Sequence, residues 1–188
     1  MKSTNNADTN FQLVIRSAQL ADTREIGGIL ASSFYELPQF VDWIYPLLRF
    51  TIGEDLRYRM RLAAPYYCCL VALAHSGDSQ SIVGTVEISL RSTSFWTDSD
   101  RFPYISNLAV KKNYRRQGVA SKLLARCEQI ARNWGYREIF LHVIESNYSA
   151  KQLYCQNEYQ ILQIKPIWGQ LLPYNPSRLL LKKTIQSR

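Results

Sequence analysis

Histidine is nearly absent from this sequence, with His75 and His142 the only two in 188 residues. The four cysteines, Cys68, Cys69, Cys127 and Cys155, include no pair spaced as Cys-x-x-Cys. A zinc site would have too few soft ligands, so chemistry without a metal is expected. No apolar run approaches the roughly 20 residues that span a bilayer. The richest, Tyr66–Ala74, has the length of a strand. The opening MKSTNNADTN has neither the apolar core of a secretory signal nor the Arg-rich pattern of a transit peptide. Residues 1–10 therefore read as a disordered tail and 11–188 as one domain. The expected location is the cytoplasm, or the plastid stroma if a transit segment has been removed.

What is present describes a water-exposed protein with a sizeable core. Hydrophobic residues make up 46% and charged residues 20%. Adjacent Cys68 and Cys69 lie in a strand-like run and point to opposite faces; buried, reduced thiols are expected. The formal net charge is +8. Its one tight cluster is Lys111, Lys112, Arg115 and Arg116, without the interleaved aromatics of a nucleic-acid surface. Neither nucleic acid nor membrane is expected as a partner.

Residues 12–17 read as a first strand. Asp22 and Glu25 form a capping box ahead of a helix whose apolar face is Ile26, Ile29, Leu30 and Phe34, and Pro38 ends that region. Residues 40–63 read as a second, broken helical region. Strands follow at Tyr66–Ala74 and Ile82–Leu90. In the latter, Ile82, Gly84, Val86, Ile88 and Leu90 alternate with Val83, Thr85, Glu87 and Ser89 on a polar face. A fourth strand spans Pro103–Val110. Gly118–Trp134 is an amphipathic helix ended by Gly135. A strand at Glu138–Ile144, a helix near Ser149–Gln156 and strands near Tyr159–Lys165 and Arg178–Lys183 complete an α/β chain with a mixed sheet.

NYRRQGVA, residues 113–120, joins a strand directly to the amphipathic helix. A helix start offers unpaired N–H groups and a positive field, which suits a diphosphate. Gly118 lets phosphate approach the backbone, Ala120 is nearly as small, and Arg115 and Arg116 add charged donors. A plain strand-to-helix turn with two solvated arginines fits this segment equally well.

The longer run NLAVKKNYRRQGVASKLL resembles the acetyl-CoA motif of the GCN5-related N-acetyltransferases, with Arg115, Gly118 and Ala120 filling its pattern. The later IESNYSAKQLYCQNEYQ resembles that family's second block, with Asn147, Ala150 and Tyr154 in place. The resemblance covers about residues 66–165. It implies an α/β fold with a mostly antiparallel central sheet of about seven strands flanked by helices, and acetyl-CoA as co-substrate. It places Leu108, Ala109 and Val110 against the cofactor through their backbone. Arg116, Gln117, Gly118, Val119, Ala120 and Ser121 would hold the pyrophosphate, with Arg115 beside them, and Asn147 and Ala150 would lie along pantetheine. Tyr154 would protonate the leaving thiolate. A bulge in the fourth strand would splay it from the fifth, and an N–H near Asn107 or Leu108 would polarise the thioester carbonyl. Core packing for Tyr154 and a helix cap for Asn147, with Ser149 as a rival cap, are the competing roles.

Making a lysine neutral at pH 7 costs roughly 3.5 kcal/mol more than doing so for an α-amine, so a base is expected. His142, in IFLHVIE, has a suitable pKa class, and Tyr104 lies on the neighbouring strand. YISNLAV, FLHV and the following SN-x-SA resemble the NatE- and NatF-type protein N-terminal acetyltransferases, in which a Tyr and a His at these places act as bases. DLRYRMRLAAPYYCCLVA with YISNLAV is similar to plastid-type acetyltransferases of plants and cyanobacteria, which modify N-termini and lysines. Glu87 is a third base candidate. The stretches SSFYELPQF and KPIWGQLLPYNPS would face substrate, with Phe34, Tyr35, Trp168 and Tyr174 lining a peptide groove. The expected activity is acetylation of protein N-terminal α-amines and lysines by a monomer or homodimer. A small-amine acetyltransferase and a non-catalytic acetyl-CoA-binding regulator are the alternatives.

Overall fold

The computed structural model describes residues 11–34, 45–62, 64–76, 79–92, 101–165 and 178–185. The proposed tail and Tyr35, Pro38, Trp168 and Tyr174 lie outside them. The expected order of elements is found: β1 (Gln12–Ser17), α1 (Thr23–Phe34), α2 (Tyr45–Arg61), β2 (Tyr67–Ser76), β3 (Ser79–Ser92), β4 (Arg101–Val110), α3 (Val119–Asn133), β5 (Glu138–Ile144), α4 (Tyr148–Gln156), β6 (Gln160–Lys165) and β7 (Arg178–Thr184). The seven strands form one sheet in the order β1-β2-β3-β4-β5-β7-β6. Neighbours pair antiparallel except β4 and β5, which are parallel.

Apolar clusters cover both faces of the sheet. On one face α3 places Val119, Leu123, Leu124, Cys127 and Ala131 against Val86, Ile88, Ile105 and Leu141. Their near-3.6 spacing is what seats that helix on the sheet, and a fully buried Leu such as Leu123 or Leu124 stabilises by about 1.5–3 kcal/mol. Glu128 of the same helix accepts from Lys183 of β7 at 3.0 Å through both oxygens, tying helix to sheet. On the other face α1 and α2 enclose Ile26, Ile29, Leu30 and Leu56 over Cys69, Val71 and Ala109. These two helices approach so closely that a Cβ on Gly27 would stand 2.7 Å from the Arg49 carbonyl oxygen.

Three local expectations fail for identifiable reasons. Asp22 does not cap α1; it sits one turn earlier, accepting from the Gln19 N–H at 2.7 Å and pairing with Arg16 at 2.6 Å. Ile82 does not share a face with Gly84, Val86 and Ile88. The β2–β3 register slips at Ala72/Leu73, leaving Val83 as an extra residue and turning Ile82 toward the α1–α2 cluster. The face carrying Thr85 and Glu87 is buried rather than solvated, because α1 and α2 cover it. Among the thiols, Cys69 and Cys127 are buried and all four are unbridged, but Cys155 is exposed.

The β4–β5 contact positions the site. Parallel pairing holds only at Tyr104–Phe140 and Ile105–Leu141. On its other edge β4 bulges against β3 between the Glu87–Ser106 and Thr85–Ala109 pairs, with Asn107 at φ 52°. Asn is among the few side chains that tolerate this conformation. Beyond Ile105 the strands no longer pair, and a cleft opens.

Candidate active site

The α3 N-terminus closes one end of that cleft. Gly118 caps the helix in the left-handed conformation, at φ 77° and ψ 0°, and Arg116 is also left-handed at φ 64°. These turns aim the first-turn N–H groups outward, and they have no intrahelical partners. A cavity of about 400 Å³ lies against them, lined by Leu108, Ala109, Val110, Arg115, Arg116 and Gly118–Ser121, and on its far side by Asn147, Ala150 and Tyr154. The residues expected to hold the cofactor line this one cavity except Gln117, whose amide donates to the Asn113 carbonyl at 2.9 Å; Tyr104 and His142 lie outside its lining. Arg115 donates through Nε to the Val110 carbonyl at 3.1 Å, which pins the guanidinium beside the cradle. Arg116 reaches Gln152 of α4 at 3.3 Å.

Asn147 caps α4: its Oδ1 accepts from the Ala150 N–H at 3.0 Å, and Ser149 does not take that role. Ser33 of α1 also lines the cavity, and its Oγ is buried without a hydrogen-bond partner among the described residues. An orphaned hydroxyl, a helix start and two arginines around one cavity fit a ligand with phosphates at one end and polar amides along its length, as acetyl-CoA has. Nothing in the sequence pattern of α1 marks Ser33, because its neighbour across the cavity is far away in the chain.

Tyr154 lies at the inner end. It is 8% exposed, and burial, reinforced by nearby Tyr104, pushes its phenol up to about 12. Such a group stays protonated across the physiological range. Tyr104 and His142 meet across β4 and β5: the phenol oxygen stands 2.9 Å from Nδ1. His142 is the first β5 residue past the last paired register, where the cleft opens, and it is exposed while Tyr104 is buried. Burial raises the Tyr104 pKa, opposed by Arg91, by a bond from the His142 backbone and by Arg178. The Arg91 guanidinium lies 3.7 Å from the Tyr104 ring centroid.

Glu87 is not placed as a base. It is 3% exposed, and both oxygens are occupied. Oε1 accepts from Asn107 at 2.6 Å and Arg59 at 3.2 Å, and Oε2 accepts from Tyr67 at 2.8 Å. The carboxylate links α2, β2 and β3 to the bulge residue of β4. Arg59, Tyr67 and the side chain of Asn107 escape sequence reasoning, since a buried charge network leaves no periodic trace. Of the expected substrate residues, only Phe34 falls within a described element, at the end of α1, and its side chain lies outside the described atoms.

The family model for acetyltransferases (GNAT family) matches residues 34–157. Among characterised relatives, the chain is similar to the chloroplastic GCN5-related N-acetyltransferase 10 of Arabidopsis thaliana, at 27% identity over 172 residues, 86% of this chain and 67% of that protein. It is also similar to the thialysine N-epsilon-acetyltransferase of Bos taurus, at 34% identity over 94 residues, 48% of this chain and 54% of the other. The chain thus spans about two thirds of the first and about half of the second. Its fold is shared with the PaiA N-acetyltransferase of Thermoplasma acidophilum, solved with coenzyme A, at a TM-score of 0.66 and 17% identity over 92% of this chain and 99% of that one.

Proposed function

The chain belongs to the acetyltransferase (GNAT) family, and we infer that it moves the acetyl group of acetyl-CoA to the α-amine of protein N-termini, with lysine side chains as a second acceptor class. The observation that carries this reading is the 2.9 Å contact between Tyr104 and His142 where β4 and β5 part. A base there would meet an amine arriving at the gap between the two strands.

Acetyl-CoA supplies an activated acetyl thioester. The first turn of α3 with Arg115 and Arg116 holds its diphosphate, and the backbone of Leu108–Val110 and the α4 start, with Asn147 and Ala150, flank the rest. A backbone N–H at the bulge, that of Asn107 or Leu108, would be the donor for the thioester carbonyl oxygen. His142, held by Tyr104, takes the proton the amine loses on attack, and the buried Tyr154 gives its proton to the departing sulfur. Burial holds that phenol at about 12, so it carries its proton when the thiolate forms beside it.

A small-amine acceptor is the second reading, favoured by the similarity to the thialysine enzyme. The chloroplastic relative supports the plastid alternative for location. The two acceptor classes separate when the protein is incubated with labelled acetyl-CoA, a peptide library varied at its first residues and a panel of small amines. Transfer to peptides is expected, and transfer to small amines alone would refute the main reading. His142→Ala and Tyr104→Phe should each lower kcat by about 10²–10⁴ with little change in acetyl-CoA affinity. Full activity in both variants would remove the base assignment.

A further inference from the structure

Two arginines stand over the Tyr104–His142 pair. Arg91 of β3 stacks on the Tyr104 ring at 3.7 Å. Arg178 opens β7 opposite Ile144, two residues along from the Leu180–His142 pair, so its side chain leaves the same face of the sheet as His142. Both are exposed, and neither forms an ion pair among the described residues. Other basic side chains at or beside the site are engaged within the described residues: Arg59 with Glu87, Lys111 with Glu25, Lys182 with Glu138, Arg115 with a carbonyl and Arg116 with Gln152. On this face Glu87 is sealed beneath its own donors, and Glu138, four residues before His142 on β5, is held by Lys182.

We propose that Arg91 and Arg178 select acceptors whose reacting amine lies within a few atoms of a carboxylate, that is, protein N-termini with Asp or Glu among their first two residues. This deepens the reading of Tyr104 and His142 as the base and rests on it. An amine delivered to His142 places the side chains of its first two residues over these guanidiniums. A carboxylate there gains two charge-assisted contacts, whereas a Lys or Arg meets two like charges. The same field works against polycationic amines and favours the neutral form of the arriving amine, since a cation pays for company with other cations. The second source of such a carboxylate is a free amino acid, whose own carboxyl sits beside its amine.

The test uses the full chain with labelled acetyl-CoA and peptides differing only at residue two, as Asp, Ala or Lys, beside free aspartate and spermidine. Each exposed charge contact supplies up to a factor of about five. The Asp peptide should therefore exceed the Lys peptide in kcat/KM by about five- to thirtyfold at low salt. That ratio should fall toward unity in 1 M salt, where the screening length shortens to about 3 Å. Arg178→Glu and the Arg91→Glu/Arg178→Glu pair should erase and then invert it. The ratio is internal to each variant, so a partly unfolded preparation does not mimic the result. A ratio within twofold of unity, or one unmoved by salt and charge reversal, would overturn this inference and leave the N-terminal reading standing. Acetylation of aspartate with no peptide acetylated would overturn the N-terminal reading while upholding carboxylate selection. Spermidine as the preferred acceptor would overturn both.

Discussion

Removing the Glu87 carboxylate should unfold the chain more easily than its single side chain suggests. Glu87→Ala leaves three donors, Asn107 Nδ2, Arg59 Nη2 and Tyr67 Oη, without their acceptor in a site that is 3% exposed. Breaking a buried ion pair from one side costs about 3–5 kcal/mol. Arg59 moderates this, because its side chain is 34% exposed and keeps Asp55 as a second partner. The expected loss is therefore about 3 kcal/mol, at the low end of that range. Glu87→Gln behaves differently. Its oxygen can still accept from Asn107 and Arg59, and its amide can donate to the Tyr67 oxygen once that hydroxyl turns, so only the charge assistance goes, about 1 kcal/mol. Urea unfolding followed by far-UV circular dichroism reads both through the midpoint at constant slope. The reasoning is refuted if the two variants lose equal stability, or if Glu87→Ala loses less than about 1 kcal/mol.

The acid role of Tyr154 predicts that Tyr154→Phe lowers kcat by about 10²–10⁴ while the KM for acetyl-CoA stays near wild type, measured by thiol release. Because burial holds that phenol at about 12, the rate attributable to it persists as pH rises and fails only as pH passes that value; an alkaline decline in kcat near 9 that vanishes in Tyr154→Phe would contradict this. At Asp22, burial would raise the carboxyl, but the Arg16 bond, the Gln19 N–H and the Arg16 charge together hold it below its usual 3.8. Its stabilising contribution is thus complete above the ordinary value and lost as pH falls through the lower folded one. The Tm gap between wild type and Asp22→Asn should be constant near neutrality and narrow as pH falls below 3.8, and a gap that never narrows on acidification would refute the pairing.

Local patterns made most of the fold legible. The strands at 12–17 and 138–144 and the helix beginning after Gly118 could be read because period-2 and near-3.6 alternation is written residue by residue, and Gly118 and Gly135 mark turns that other residues resist. The cofactor side of the site was legible for the same reason: a helix start and its flanking strand are continuous in the chain. What escaped was long-range. Ile82 changed faces because of a slip against β2, a property of two strands that alternation within one cannot carry. Glu87 looked like a solvated charge because the helix that covers it, α2, carries Arg59 in a run of charges that reads as surface.

Glu87 and Asn107 also show why a base could not be chosen from residue types alone. Glu87, Tyr104 and His142 are all chemically able to accept a proton, and all lie on neighbouring strands. Burial separates them: Glu87 is 3% exposed and accepts from three donors, while His142 meets Tyr104 through Nδ1 and stands exposed where β4 and β5 part. The same bulge that places Asn107 at φ 52° within reach of Glu87 ends the regular β3–β4 register beside the cleft. The carboxylate is therefore engaged in holding the bulged backbone beside the cleft, and the proposed proton transfer is assigned to the Tyr104–His142 pair. A buried acid bonded to a bulge and an exposed imidazole beside a strand gap are different environments for titratable groups, and only tertiary contacts tell them apart.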